Sequence, residues 1–399
     1  MTKRSKYLIL LVFLLNLLTL QLLIQPVSAA STYRLNWSYL TGDGIYSVAI
    51  SADGQYVVTG SYDHKIYLFQ KSSNTTLWTY STGSDVESVA ISADGQYIVA
   101  GTDGYYIYFF QRTSNTTLWT CLTDGTVNRL AISANGQYIA AGSWGHTVYL
   151  FQKTSNATLW TYHSSTDDDF KSVAISADGK YIAAGSNDYG VYLFDNTSST
   201  PLWSYLTGDE VMSVAISANG RYIAAGSWDS KIYFFQNTSN SPLWTYSADF
   251  PVVTVAISAD GQYIAAGSDD YRVYLFQKTS NTTLWSQSIS GNVQSLAISA
   301  DGQYIAATGD DNYVYFFQRT SSTLLTSYLI HGIGSIVAIS ANGQYVAVGC
   351  LDNQVYFFSR NTGGTGVPFV NPGLLVIALI AILVLFYRTK SQKLNFEYQ

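Results

Sequence analysis

The chain has 399 residues and a formal charge of −6; it is 47% apolar and 12% charged, with 33 tyrosines and two cysteines. Two cysteines exclude a disulfide framework, so the fold must hold by packing. So little charge predicts an exterior rich in hydroxyls and amides, and the negative balance speaks against nucleic acid.

Residues 1–30 read as a secretory signal peptide or an uncleaved anchor: Lys3, Arg4 and Lys6 precede an apolar run from Tyr7 to Ile24, and Val27-Ser28-Ala29 places small residues for cleavage. Either reading exports the downstream chain. Next comes "LNWSYL", Leu35 to Leu40, a strand with no partners before it. From there one unit recurs eight times: the "[VL]AIS" motif begins at Val48, Val89, Leu130, Val173, Val214, Val255, Leu296 and Val337, in steps of 41 residues except one of 43. Each unit holds four β-branched and aromatic runs, "SVAIS", "QYIAAGS", "VYLFQ" and "LWTY", here strands a to d, and such repeats are the sequence form of propeller blades. The "SADG" and "SANG" links suit tight hairpins, which makes Asp53, Asp94, Asp178, Asp260 and Asp301 turn formers. After the eighth strand c no "LW" strand follows, so Leu35–Leu40 is expected to complete blade eight. The expectation is an all-β, eight-bladed propeller over residues 31–360, closed by its N-terminal strand, with a linker at 361–372. An apolar run at 373–387, extendable back to Val367, then reads as a transmembrane helix, and Arg388, Lys390 and Lys393 place the tail, 388–399, in the cytoplasm.

On these residues, "VAISADGQYIAAGSDDYRVYLF" resembles WD40 repeats, with Asp63, Asp188, Asp229, Asp270, Asp311 and Asp352 at that family's turn aspartate and Gly104 and Gly145 in its place in blades two and three. "VYLFQKTSNTTLW" resembles the quinoprotein-type repeat, whose tryptophan docks between blades; here the positions are Trp37, Trp78, Trp119, Trp160, Trp203, Trp244 and Trp285, with Leu325 as the eighth. The Gly-His and Trp-Asp dipeptides of WD40 are missing, so its side-chain tetrad is not carried over. The resemblance implies fold, not function.

Sequons stand at Asn36, inside a strand, and at Asn74, Asn115, Asn156, Asn196, Asn237 and Asn281 between strands c and d; the six in turns are glycosylation candidates on an exported chain, although Asn is also a good turn residue. The a–b and c–d turns share one face, the bottom, with both chain ends; the d–a and b–c loops share the top. Assigned in this way, the top carries nineteen acidic and five basic residues, Arg129 and Lys171 among the latter, and the bottom nine basic and six acidic. An acidic loop face favours cations, basic proteins or polyhydroxylated ligands.

One sector breaks the repeat. The loop "HSSTDDDFK", His163 to Lys171, holds the two extra residues of the 43-residue step, and Trp144 and Trp228 are tryptophans outside the strand d pattern on either side of it. Exposed aromatics beside carboxylates suit a sugar or a cation. The candidate ligand-binding residues are therefore Trp144, His163, Asp167, Asp168, Asp169, Asp188 and Trp228. His146 and His163 beside the aspartate run are a weaker metal candidate, and no metal or cofactor is assigned. None of the hydrolase, metalloprotease, P-loop or CxxC spacings occurs. The chain reads as a non-catalytic binding scaffold on the cell membrane, with a protein or carbohydrate partner and no nucleic acid. A quinone-dependent oxidoreductase and a structural component of a cell-surface layer are the alternatives.

Overall fold

The computed structural model describes residues 32–361. The segments read as signal peptide, transmembrane helix and tail lie outside the described residues, as does the linker after Asn361. Among the described residues all thirty-two elements are strands, and no helix is long and apolar enough to cross a membrane.

The strands form eight four-stranded sheets. After β1 (Thr32–Leu40), blade one is β2 (Ile45–Ile50), β3 (Tyr56–Ser61), β4 (Lys65–Gln70) and β5 (Thr76–Ser81), paired antiparallel in sequence order. The pattern repeats through blade seven. Blade eight has the order β1-β32-β31-β30, with β30 (Gly334–Ile339), β31 (Tyr345–Cys350) and β32 (Gln354–Asn361), so the first strand lies beside the last.

Strand a is shifted from its expected position: in blade six it spans Val252–Ile257, with a register shift between Val252 and Thr254, and stops before Ser258. The serine belongs to the turn. Its hydroxyl accepts from Tyr263 N at 3.0 Å and donates to the Asp260 carboxylate at 2.6 Å, which in turn accepts from Gln262 N. The a–b link is thus a longer, side-chain-braced turn, and only its glycine has positive φ, 71° at Gly261. The turn aspartates are turn formers, by this serine-bridged route rather than by adopting positive φ themselves. Gly54 shows a second constraint: an added Cβ would lie 2.2 Å from the Tyr345 ring of blade eight, so no side chain fits where the blades meet.

The apolar core lies between blades. One cluster joins Val58, Ile66 and Leu68 of blade one to Val86, Ile98 and Phe110 of blade two; another joins Val355 and Phe357 of blade eight to Ile45 and Phe69 of blade one. Both faces of each sheet are therefore covered, which is why strands b and c read as unbroken apolar runs. Strand d tryptophans add the docking contact: Trp37, Trp78, Trp119, Trp203, Trp244 and Trp285 each donate Nε1–H to a carbonyl of the next blade at 2.7–3.0 Å. Trp160 is buried with no partner for its Nε1. Near the axis the a–b turns join into a closed ring: Ala52 N donates to Ala93 O, and so on through Ala134, Ala177, Ala218, Ala259, Ala300 and Ala341, whose N–H returns to Ala52 O. Both cysteines are free, and burial pushes the Cys350 thiol up to about 12.

Candidate binding face

Every b–c loop is a tight three-residue hairpin whose last residue is left-handed without being glycine. The eight positions, His64, Tyr105, His146, Tyr189, Ser230, Tyr271, Asn312 and Asn353, have φ of 65–69°. This backbone costs about 1–2 kcal/mol per residue, and in six blades a side-chain brace offsets it. Asp63, Asp188, Asp229, Asp270, Asp311 and Asp352 each accept from the backbone N–H two residues on and from the tyrosine hydroxyl four residues on. Burial, reinforced by the adjacent carboxylate, raises these tyrosines above their ordinary range, Tyr315 to about 12. Asp188, a candidate ligand residue by sequence, is thereby occupied by the fold, through Gly190 N at 2.8 Å and the Tyr192 hydroxyl.

Blade three, β10 (Val127–Ile132) to β13 (Thr158–His163), has Gly145 where the brace aspartate belongs. Asp124, from the preceding d–a loop, takes over. Its carboxylate accepts from Ser143 Oγ at 2.7 Å and from Thr147 Oγ1, and Asp124 N donates to the Tyr149 hydroxyl at 3.0 Å. Gly145 is required there, because a Cβ would fall 2.1 Å from Asp124 Oδ1. Thr147 Oγ1 is also 2.8 Å from His163 Nδ1, which ties the loop insertion to the same network.

The six-residue loop from His163 to β14 (Phe170–Ile175) holds the three aspartates. Asp169 Oδ1 lies 3.2 Å from His146 Nδ1, Asp167 Oδ1 lies 3.5 Å from His163 Nε2, and the two imidazoles meet edge to face at 6.1 Å. Asp167 is exposed and left-handed, with φ of 54°. Asp168 is half-buried, and no side-chain bond is assigned to it. Trp144 is 46% exposed, with Lys171 Nζ 5.5 Å from its ring centroid. The structure thus gathers Trp144, His146, His163, Asp167, Asp169 and Lys171 around one loop. Trp228 is equally exposed, at 45%, but sits in the b–c hairpin of blade five, anchored only through Trp228 N to Glu210 O. No group of three or more metal-ligating side chains is formed among the described residues.

Exposed aromatics are not confined to this sector. Tyr105, Tyr189 and Tyr271 project from the left-handed positions, and Phe250 stands free before blade six. A second cluster, not singled out from sequence, lies between blades one and two: Tyr46 stacks on Tyr62 at 3.7 Å, and the Tyr62 hydroxyl donates to Glu87 at 3.0 Å. Burial raises the Glu87 carboxyl, partly offset by the Tyr62 bond, while Asp85 pairs with His64 at 2.9 Å. Arg129 and Lys171, assigned from sequence to loops, lie in strands a of blades three and four, as Glu87 does in blade two. The register shift at the start of strand a is what moves them.

On the bottom face, Asn74, Asn115, Asn156 and Asn281 are exposed, and each donates Nδ2–H to a strand d carbonyl of the preceding blade at 3.0–3.3 Å. Asn240, which begins no sequon, makes the same bond to Ser204 O, so this latch alone accounts for asparagine at the position. Asn196 and Asn237 stand in the two blades where Pro201 or Pro242 shortens strand d to four residues, and no side-chain hydrogen bond is assigned to either. The basic residues lie on tyrosines: Arg112 over Tyr56, Arg319 over Tyr263 and Arg360 over Tyr304, at 3.9–4.2 Å.

Comparison with known proteins places this geometry. Residues 107–328, more than half of the chain, match the PQQ_2 family model, described as outer membrane protein assembly factor BamB. Residues 36–70 and 74–108 match the WD domain, G-beta repeat. No curated protein matches the chain. The blade count, the docked tryptophans and this match agree: the chain belongs to the PQQ-like repeat family described as outer membrane protein assembly factor BamB, with WD40-type repeats in its first blades.

Proposed function

We propose that the protein is an extracytoplasmic, membrane-tethered propeller that binds a protein or carbohydrate partner at the cell surface, without catalysis, through its acidic loop face at blades three and four. One observation carries this reading. The b–c loop aspartates of six blades brace their own hairpins, whereas the insertion before blade four leaves Trp144, His163 and Asp167 exposed together. The family's description names an assembly factor, which favours a scaffold. The tether is the 373–387 segment, and the six turn sequons reduce to Asn196 and Asn237 as the best glycan sites.

Capture of surface components by the full chain tests the reading. Trp144→Ala and an Asp167–Asp169 triple change to Ala should each weaken capture about fivefold or more, the loss of an interface anchor, and leave the melting temperature in place. Arg319→Ala, on the opposite face, should leave capture intact. Equal losses from both faces would overturn the assignment. A lattice component is the second reading, favoured by six leucines that each directly precede a docking tryptophan, Leu77, Leu118, Leu159, Leu202, Leu243 and Leu284, each 46–50% exposed around the rim. Ordered arrays of purified protein by electron microscopy would support it.

A further inference from the structure

In five consecutive blades the hairpin between strands b and c carries one exposed tyrosine or tryptophan: Tyr105 in blade two, Trp144 in three, Tyr189 in four, Trp228 in five and Tyr271 in six, all 45–51% exposed. The arc stops there. In blades seven and eight the hairpins read Asp310-Asp311-Asn312 and Leu351-Asp352-Asn353, and in blade one Tyr62 is half-buried, stacked on Tyr46 and bonded to Glu87.

Three of these rings stand where the backbone resists them. Tyr105, Tyr189 and Tyr271 hold φ of 66–68°, a left-handed conformation that bulky side chains rarely adopt and asparagine tolerates better. Asparagine is what blades seven and eight use at the same place, with φ of 67° at Asn312 and 69° at Asn353. Nothing in the fold explains the tyrosines: among the described residues no hydrogen bond is assigned to their hydroxyls, no ring stacks on theirs, and about half of each side chain faces water. Strain kept at exposed side chains points to function.

The charge around the arc is negative. Asp103 and Asp249 are exposed, and among the described residues no cation lies within ion-pair distance of either. Burial, then the neighbouring carboxylates of Asp310 and Asp270, raises the Asp269 carboxyl. One ring of the arc already has a cation over it, since Lys171 Nζ lies 5.5 Å from the Trp144 centroid. Among the described residues the other four rings have none.

We propose that the loop face of blades two to six binds a positively charged, arginine-bearing protein segment, its guanidinium groups lying on Tyr105, Tyr189, Trp228 and Tyr271 and paired with carboxylates of the neighbouring loops. A planar guanidinium stacks on an aromatic face while its edge bonds a carboxylate, a combination that suits it better than an ammonium or a neutral sugar. The proposal rests on the loop face being the binding surface; it adds the chemistry of the partner and extends the surface to blades two, five and six.

The test is fluorescence anisotropy of labelled deca-arginine, deca-lysine and deca-citrulline peptides, the last with a neutral urea in place of each guanidinium, on the full chain in nanodiscs of zwitterionic lipid. Empty nanodiscs are subtracted, and cellohexaose serves as competitor. Deca-arginine should bind saturably, more tightly than deca-lysine and less tightly as salt is raised; deca-citrulline should not bind, and cellohexaose should displace nothing. Tyr105→Asn, Tyr189→Asn and Tyr271→Asn, which leave the charge of the face unchanged, should each weaken deca-arginine about two- to fivefold, and together about tenfold or more. All should melt at or above the wild type, because asparagine suits this backbone. No saturable binding of deca-arginine, equal binding of deca-citrulline, displacement by cellohexaose, binding that survives the triple change, or a triple variant that melts well below the wild type would overturn the proposal. If Trp144→Ala weakens surface capture while the tyrosine changes leave deca-arginine in place, the arc fails and the reading at blades three and four stands. If deca-arginine binding falls with the tyrosines while Trp144→Ala leaves capture intact, only that reading fails.

Discussion

The side chains that recur from blade to blade divide into those tied to backbone and those tied to each other, and the two kinds respond differently to perturbation. Trp78 donates to Arg112 O at 2.7 Å, whereas the Trp160 indole N–H is buried without an acceptor. Trp78→Phe should therefore cost about 1 kcal/mol, the net worth of a hydrogen bond, while Trp160→Phe should be neutral or stabilising, because it removes a desolvated donor. Chemical denaturation of the two variants decides this, and equal losses would mean that packing alone sets the cost. The aspartate–tyrosine braces set the alkaline limit. Their tyrosines are raised in the folded state above the unfolded value near 10, so the stability they provide is complete below pH 10 and is lost as pH rises toward the folded values. The six brace tyrosines should accordingly ionise together with unfolding, well above pH 10; their ionisation near 10 in a folded protein, read as the absorbance lost in Tyr→Phe variants, would contradict the pairing. The brace aspartates and turn glycines were legible in the sequence because they recur. The takeover by Asp124 was not, since nothing in "TDGT" reveals that its carboxylate reaches across to the hairpin that Gly145 leaves unbraced.

Strand identity, too, was legible from alternation and spacing, but strand limits were not. The register shift at the start of every strand a adds residues that the "VAIS" motif does not announce, and it turns Glu87 and Arg129 from apparent loop charges into strand residues. The move takes no more acidic than basic charge from the loop census, so the acidic excess of that face remains. The element with the largest predicted effect is β1. Its Trp37 ring lies 4.9 Å from Phe357 and donates to Lys71 O, its Tyr33 stacks on Phe316 at 4.2 Å, and Ser359 Oγ donates to Asn36 Oδ1. Deleting residues 32–40 would remove contacts to blades seven, eight and one at once and bare the edge of β32. The shortened chain should aggregate or lose most of its thermal stability. A truncated protein that stays monomeric with an unchanged melting temperature would show that β1 is dispensable to the ring.

At the scale of the whole molecule, the ring of alanine hydrogen bonds and the inter-blade cores make each blade depend on two neighbours, so no blade is a terminal cap and the propeller has only its loop face, turn face and rim to offer a partner. Which face is presented depends on how the chain is held. Strand β32 ends at Asn361 on the turn face, and a short Gly-rich stretch separates it from the apolar 373–387 run, whose basic flank at Arg388, Lys390 and Lys393 favours a cytoplasmic end. Protease added to intact cells should then digest the propeller and leave a tail-directed antibody epitope cell-associated, while lysed cells should lose both. If the propeller survives in intact cells and the tail is cut, the chain is inserted the other way, and the loop-face partner belongs to the opposite compartment. If neither is cut until lysis, the export reading of residues 1–30 fails, and the partner must be sought inside the cell.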